Sequence, residues 1–147
     1  RSQVVGHALD RGAALLKATL VLHLQANADV TLARRQLRLH QLAQPVIEGR
    51  ATWQRFSNGS KSDWLTPGGD FGAAVAQAPV PAGTSVGIVN LNVTAVVRST
   101  FTTKAVPLSL ILLETSAPPP APAELAFTSS EGDASGVPAL ILDYCEP

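Results

Sequence analysis

The sequence predicts an all-β chain, an antiparallel β-sandwich of jelly-roll type with at most one short helical turn. Apolar and polar residues alternate with a period of two in several short segments, which is typical of strands with one buried side. Most of these segments end at Gly, Pro, Asn or Asp, which favour turns. The chain has 147 residues, 46% of them hydrophobic. This is enough for one core, so we expect a single domain over residues 1–147.

The clearest strand lies at residues 19–25, where Leu20, Leu22 and Leu24 alternate with their neighbours. The Ala and Leu content of residues 10–26 would also suit a helix. Because the leucines follow a period of two and not of 3.6, the sequence favours a strand with one buried face.

A second half-buried strand is predicted at residues 36–40, with Leu37 and Leu39 on one side and Arg38 and His40 on the other. Further short apolar segments predict strands at residues 3–9, 85–90, 106–114, 125–129 and 139–144.

One helical turn is predicted over residues 93–100, with Asn92 or Thr94 capping its start. The buried sides of the strands predict a core made of Leu20, Leu22, Leu24, Leu37, Leu39, Trp53, Phe71, Val89, Leu110, Leu112, Leu140 and Leu142.

The charge balance and apolar pattern exclude two classes of partner. Eleven basic residues balance eleven acidic ones, so no net field attracts a nucleic acid. No apolar run is long enough to span a bilayer, and we expect no membrane insertion. Because Met is absent, we expect a processed or excerpted piece of a longer protein. The lone Cys145 cannot form an internal disulfide.

Several segments, taken in their order along the chain, are similar to the DNRLRE domain family. This family includes sandwiches of the carbohydrate-binding module family 96 type. The most specific is WLTPGGDF at residues 64–71. The other matching segments are residues 18–24, 49–53, 92–98, 108–114, 127–131 and 138–144.

The resemblance implies a non-catalytic, jelly-roll-like sandwich on secreted or cell-surface proteins, often beside polysaccharide-degrading enzymes. Two features depart from the family pattern. The family opens with about two further strands before the segment matched by residues 3–9, and we expect this chain to lack them. Asn92 stands where the family has an acidic residue.

No set of residues in the sequence supplies a nucleophile, a base and charge stabilisation together. His7, His23 and His40 lack metal-ligand spacing, and no hydrolase motif is present. The sequence therefore predicts that the protein is not an enzyme.

Four acidic residues in predicted loops, Asp63, Asp70, Glu131 and Asp133, are candidates for a structural calcium site, because loop carboxylates are the ligands that calcium prefers. Turn formation beside glycine is the favoured alternative. Apart from this calcium, no cofactor is expected.

Trp64 is the main candidate for a sugar contact, since the C–H face of a sugar packs on an indole ring. Trp53 follows Ala51 at a period of two and is predicted to be in the core. If the ligand is an acidic polysaccharide, the basic residues that could pair with its carboxylates are Arg34, Arg38, Arg55 and Lys61.

Asn58 and Asn92 begin N-glycosylation tripeptides, which matter only in a eukaryotic secretory pathway. Two functions remain open. The first is a module that binds polysaccharide. The second is a structural subunit of an extracellular fibre or surface layer, in which a strand from a neighbouring copy could complete the sandwich.

Overall fold

The computed structural model describes residues 14–27, 35–47, 49–80, 86–103, 107–114, 124–132 and 136–145. These residues form two antiparallel sheets and one helix, which confirms the all-β, sandwich-like class. The elements are β1 (Ala14–Asn27), β2 (Gln36–Leu42), β3 (Phe71–Pro79), β4 (Gly87–Asn92), α1 (Thr94–Thr103), β5 (Leu110–Glu114), β6 (Leu125–Phe127) and β7 (Ala139–Cys145). The strand predicted at residues 3–9 lies outside the described residues.

Sheet A is built around the long strand β1. Strand β4 pairs with one side of β1, while β7 and β6 follow one another along the other side. Leu20 is opposite Leu91 on one side and Leu140 on the other. The prediction of a strand rather than a helix at this position is confirmed.

Sheet B has the order β3-β2-β5. Leu39 at its centre lies opposite Ala76 of β3 and Leu112 of β5. Strand β3 was not predicted from the sequence.

His40 is buried, although the sequence places it on the polar side of β2. The register between β2 and β3 shifts on both sides of His40, so the strict alternation is interrupted there. Its Nδ1 lies 2.8 Å from the carbonyl oxygen of Gly72, to which it donates. Its ring centroid lies 4.7 Å from that of Phe71.

The core lies between the two sheets and includes one side of α1. Of the predicted core residues, Leu24, Leu37, Leu39 and Val89 are buried. A further group packs against them at partial burial: Leu20, Leu22, Leu110, Leu112 and Leu142.

Three predicted core residues are exposed, and those predictions are wrong. Trp53 lies in the connection between β2 and β3 and not on a strand. Phe71 is the first residue of β3, at the end of the sheet. Leu140 shares a face with the partly buried Leu20, but it lies on β7, whose outer side pairs with no strand of the described residues.

Helix α1 is longer than the predicted single turn. It begins where the side-chain oxygen of Asn92 accepts the backbone N–H of Thr94 at 3.1 Å, as the sequence predicts. Val96 and Val97 point into the core. Among the described residues, no helix is long and apolar enough to cross a membrane.

The hydroxyl of Thr94 connects the helix to sheet A, because it accepts the backbone N–H of the fully buried Ala18 at 2.9 Å. Replacing Thr94 with Val keeps the shape and leaves this donor unpaired. We expect the free energy of unfolding to fall by about 1 to 3 kcal/mol in a denaturant titration. Thr102→Val is the matched control, since the exposed Thr102 hydroxyl donates only to carbonyl oxygens within its own helix. Equal losses in the two variants would contradict the role assigned to Thr94.

Arg35 connects the two sheets just before β2. Its side chain is 1% exposed. Its Nη1 donates to the Oδ1 of Asn27 at 2.9 Å, and its Nε lies 2.8 Å from the Oε1 of Glu114. Asn27 ends β1 in sheet A, and Glu114 ends β5 in sheet B.

Candidate functional site

The candidate site is the connection between β2 and β3, residues 43–70, which we call the β2–β3 loop; residue 48 is not among those described. Its two ends meet, because the backbone N–H of Ala43 donates to the carbonyl of Asp70 at 2.8 Å. Near its start, the backbone N–H of Val46 donates to the Ser109 hydroxyl at 3.1 Å. The loop is therefore anchored to the end of sheet B.

The WLTPGGDF segment forms a tight turn at the end of this loop. Both carboxylate oxygens of Asp70 accept backbone N–H groups, from Leu65 and from Thr66, each at 2.8 Å. Gly68 and Gly69 have φ angles of 97° and 122°, in a region that side chains rarely adopt. These contacts explain why the turn requires two glycines followed by Asp.

Trp53 lies against this turn, and 73% of its surface is exposed. Its carbonyl accepts the N–H of Gly68 at 2.6 Å. A Cβ built on Gly68 would lie 2.6, 2.8 and 3.0 Å from the Cη2, Cζ3 and Cζ2 atoms of the indole. Such similar distances to three bonded atoms place Gly68 over the face of the ring and not at its edge.

Trp64 is half-buried in the packing of the loop itself. Its indole N–H donates to the carbonyl of Thr52 at 3.2 Å, and its ring centroid lies 5.2 Å from that of Phe56. Trp64 was the residue singled out from the sequence as the sugar contact. The structure leaves Trp53 the more accessible of the two.

The described candidate basic residues lie on two elements, the β2–β3 loop and β2. Arg55 is paired with Asp63, with 2.8 Å between Nε and Oδ1, and Lys61 is exposed in the same loop. Arg38 is exposed on β2, and Arg34 lies outside the described residues.

Two of the candidate calcium ligands already have other partners. Asp63 forms an ion pair with Arg55, and Asp70 accepts backbone N–H groups of the turn. Glu131 lies on the turn after β6. Asp133 lies outside the described part of the chain. No three His, Cys, Asp or Glu residues in that part are grouped so that they could hold a metal ion. The calcium site stays a prediction.

A depression of about 410 Å³ lies beside the loop at the end of sheet B. Among the described residues, its wall includes Gln41, Leu42, Pro45 and Pro107 and no charged side chain. A Cβ on Gly69 would lie 3.1 Å from Leu42 Cδ2. The Gly68–Gly69 turn therefore lies between the ring of Trp53 and the wall of the depression. No sequence pattern indicated this depression.

The remaining candidate residues lie apart from this depression. Asn58 is exposed in the β2–β3 loop and Asn92 is exposed before α1, where its side-chain oxygen is bonded to Thr94. Cys145 is exposed at the end of β7.

Replacing Gly68 with Ala should disturb the turn, because the new methyl group would overlap the Trp53 ring and the backbone angle suits only glycine. We expect a loss of about 1 to 2 kcal/mol in unfolding free energy and a change in tryptophan fluorescence. Gly59→Ala is the control in the same loop, since its Cβ would meet only Ser62 Cβ at 3.9 Å. An unchanged Gly68→Ala variant would show that the ring does not rest on Gly68.

Comparison with protein-family models, curated proteins and solved structures found no match to this chain. The DNRLRE assignment therefore stays a prediction from the sequence segments.

Proposed function

We propose that this chain is a non-catalytic module of a secreted or cell-surface protein, and that it binds polysaccharide through the β2–β3 loop. The observation that carries the proposal is the exposure of large apolar side chains on an anchored loop. Trp53 is 73% exposed and Leu65 is 94% exposed. Sugar rings present apolar C–H faces together with hydroxyl groups, and both suit a surface of aromatic and aliphatic side chains bordered by backbone polar groups.

The anchoring of the loop supports the same proposal. Asp70 fixes the turn and Arg55 pairs with Asp63 across the loop, where the two residues also form an isolated bridge. A surface that is ordered before the ligand arrives loses less conformational entropy on binding. The resemblance to DNRLRE domains gives the expected setting, beside a carbohydrate-active enzyme or on a cell surface.

The test is affinity electrophoresis through gels that contain neutral or acidic polysaccharides, combined with an assay for cleavage products. We expect at least one polysaccharide to retard the protein without being cleaved. Normal migration in all gels would contradict the proposal, and cleavage abolished by one side-chain substitution would contradict its non-catalytic part.

A second candidate is a structural subunit of an extracellular fibre or surface layer. The observation that favours it is β7, an edge strand within the described residues. Leu140 and Tyr144 of β7 face the same side as the core residues Leu20 and Leu15, yet both are exposed. A strand from a neighbouring copy could cover them, because edge strands offer unpaired backbone groups.

Light scattering over a range of protein concentrations separates the two candidates. A structural subunit should form growing, head-to-tail assemblies, which a charged substitution such as Leu140→Lys should abolish. A protein that stays monomeric at all concentrations would contradict the structural-subunit candidate and would not affect the polysaccharide-binding candidate.

A further inference from the structure

We propose that the ligand is a neutral polysaccharide, with one sugar ring stacked on the free face of Trp53. This inference rests on the proposed glycan-binding function and specifies its substrate class.

The first argument is the position of the Trp53 ring. Gly68 lies over one face of the six-membered ring, because a Cβ built on it would approach three bonded ring atoms at similar distances, and most of the Trp53 side chain remains exposed. The opposite face is therefore available to a ligand while the ring is held from behind. In the hydrogen bonds of the described residues, the indole N–H of Trp53 has no acceptor, whereas that of Trp64 is bonded to Thr52. A stacked sugar would meet a flat apolar surface with a donor at its edge.

The second argument is the charge of the loop. Residues 43–70 contain three basic side chains, Arg50, Arg55 and Lys61, and three acidic ones, Glu48, Asp63 and Asp70. Arg55 is already paired with Asp63. A uronic acid would compete with Asp63 for this guanidinium and would meet repulsion from its carboxylate. The loop therefore suits a ligand without charge.

The experiment measures the binding affinity of the intact protein and of Trp53→Ala, Trp53→Phe and Lys61→Ala. The neutral ligands are a mixed-linkage β-glucan and a galactomannan, and the acidic ligands are alginate and polygalacturonate. Each protein is measured with each polysaccharide at low and at high salt. We expect neutral binding that is insensitive to salt, is weakened about tenfold or more in Trp53→Ala, and is partly kept in Trp53→Phe, as for the loss of one stacking ring. Lys61→Ala should bind like the intact protein. Because Trp53 is exposed, its variants should keep the circular dichroism spectrum and thermal midpoint of the intact protein.

The outcomes separate the inference from the function on which it rests. Equal neutral binding by the intact protein and Trp53→Ala would overturn the inference and leave glycan binding intact. The inference would also be overturned, with glycan binding intact, if the protein bound only the acidic polysaccharides and lost this binding at high salt and in Lys61→Ala. Absence of binding to every polysaccharide would overturn the proposed function itself.

Discussion

Replacing Arg35 with Ala is expected to lower the free energy of unfolding by about 2 to 4 kcal/mol, because a large buried side chain is removed and the buried Asn27 loses its donor. Arg35 is almost completely buried, and its guanidinium contacts Asn27 in one sheet and Glu114 in the other. Without it, the side chain of Asn27 loses a donor in a buried position, and Glu114 loses its cation. The two sheets also lose a direct connection.

Chemical denaturation followed by circular dichroism measures this effect. Arg38→Ala is the matched control, because Arg38 lies three residues further along the same strand region and is exposed. We expect it to change the stability by less than about 0.5 kcal/mol. Arg35→Lys should be intermediate, since an ammonium keeps the charge without the planar fork that reaches both partners. Similar losses for Arg35→Ala and Arg38→Ala would contradict the bridging role.

The second large effect is expected at Leu37, which is 2% exposed at the centre of sheet B. Leu37→Ala should cost about 2 to 5 kcal/mol, because the removed methyl groups leave a cavity between close-packed neighbours. Leu37 lies opposite Ala78 on one side and Glu114 on the other. The small side chain of Ala78 has little capacity to fill the space.

Thermal and denaturant unfolding of Leu37→Ala should be compared with Leu65→Ala. The side chain of Leu65 is almost completely exposed, so its truncation should change the stability by less than about 0.5 kcal/mol. If Leu37→Ala were as stable as Leu65→Ala, the core would not lie between the sheets as described.

The strands that were predicted correctly share a clear alternation or a short apolar run between turn residues, as at Leu20, Leu22 and Leu24 of β1. Strand β3 has the sequence FGAAVAQAP. Its alanines and glycine have low strand propensity and give no alternation of polarity. It is extended because it pairs with β2 between Phe71 and Pro79, with two register shifts, which is a tertiary effect that local sequence does not contain.

The candidate site was predicted only in part, because loops lack the periodicity on which burial predictions depend. Trp53 was assigned to the core from its spacing to Ala51, but neither residue lies on a strand. The better signal was the WLTPGGDF segment, in which two adjacent glycines followed by Asp indicate a fixed turn. The burial of Arg35 had no sequence signal, since arginine is rarely buried in proteins unless it is paired.

The most direct test of the β2–β3 loop as a glycan-binding surface uses the two indole N–H signals in a proton–nitrogen correlation spectrum, one from each tryptophan. Trp53→Phe assigns them by removing one signal. On titration with a neutral oligosaccharide, we expect the Trp53 signal to shift progressively, because its face and its N–H meet the sugar. The Trp64 signal should move little, since its N–H is already bonded to Thr52. A glycan that binds without moving the Trp53 signal would contradict the account.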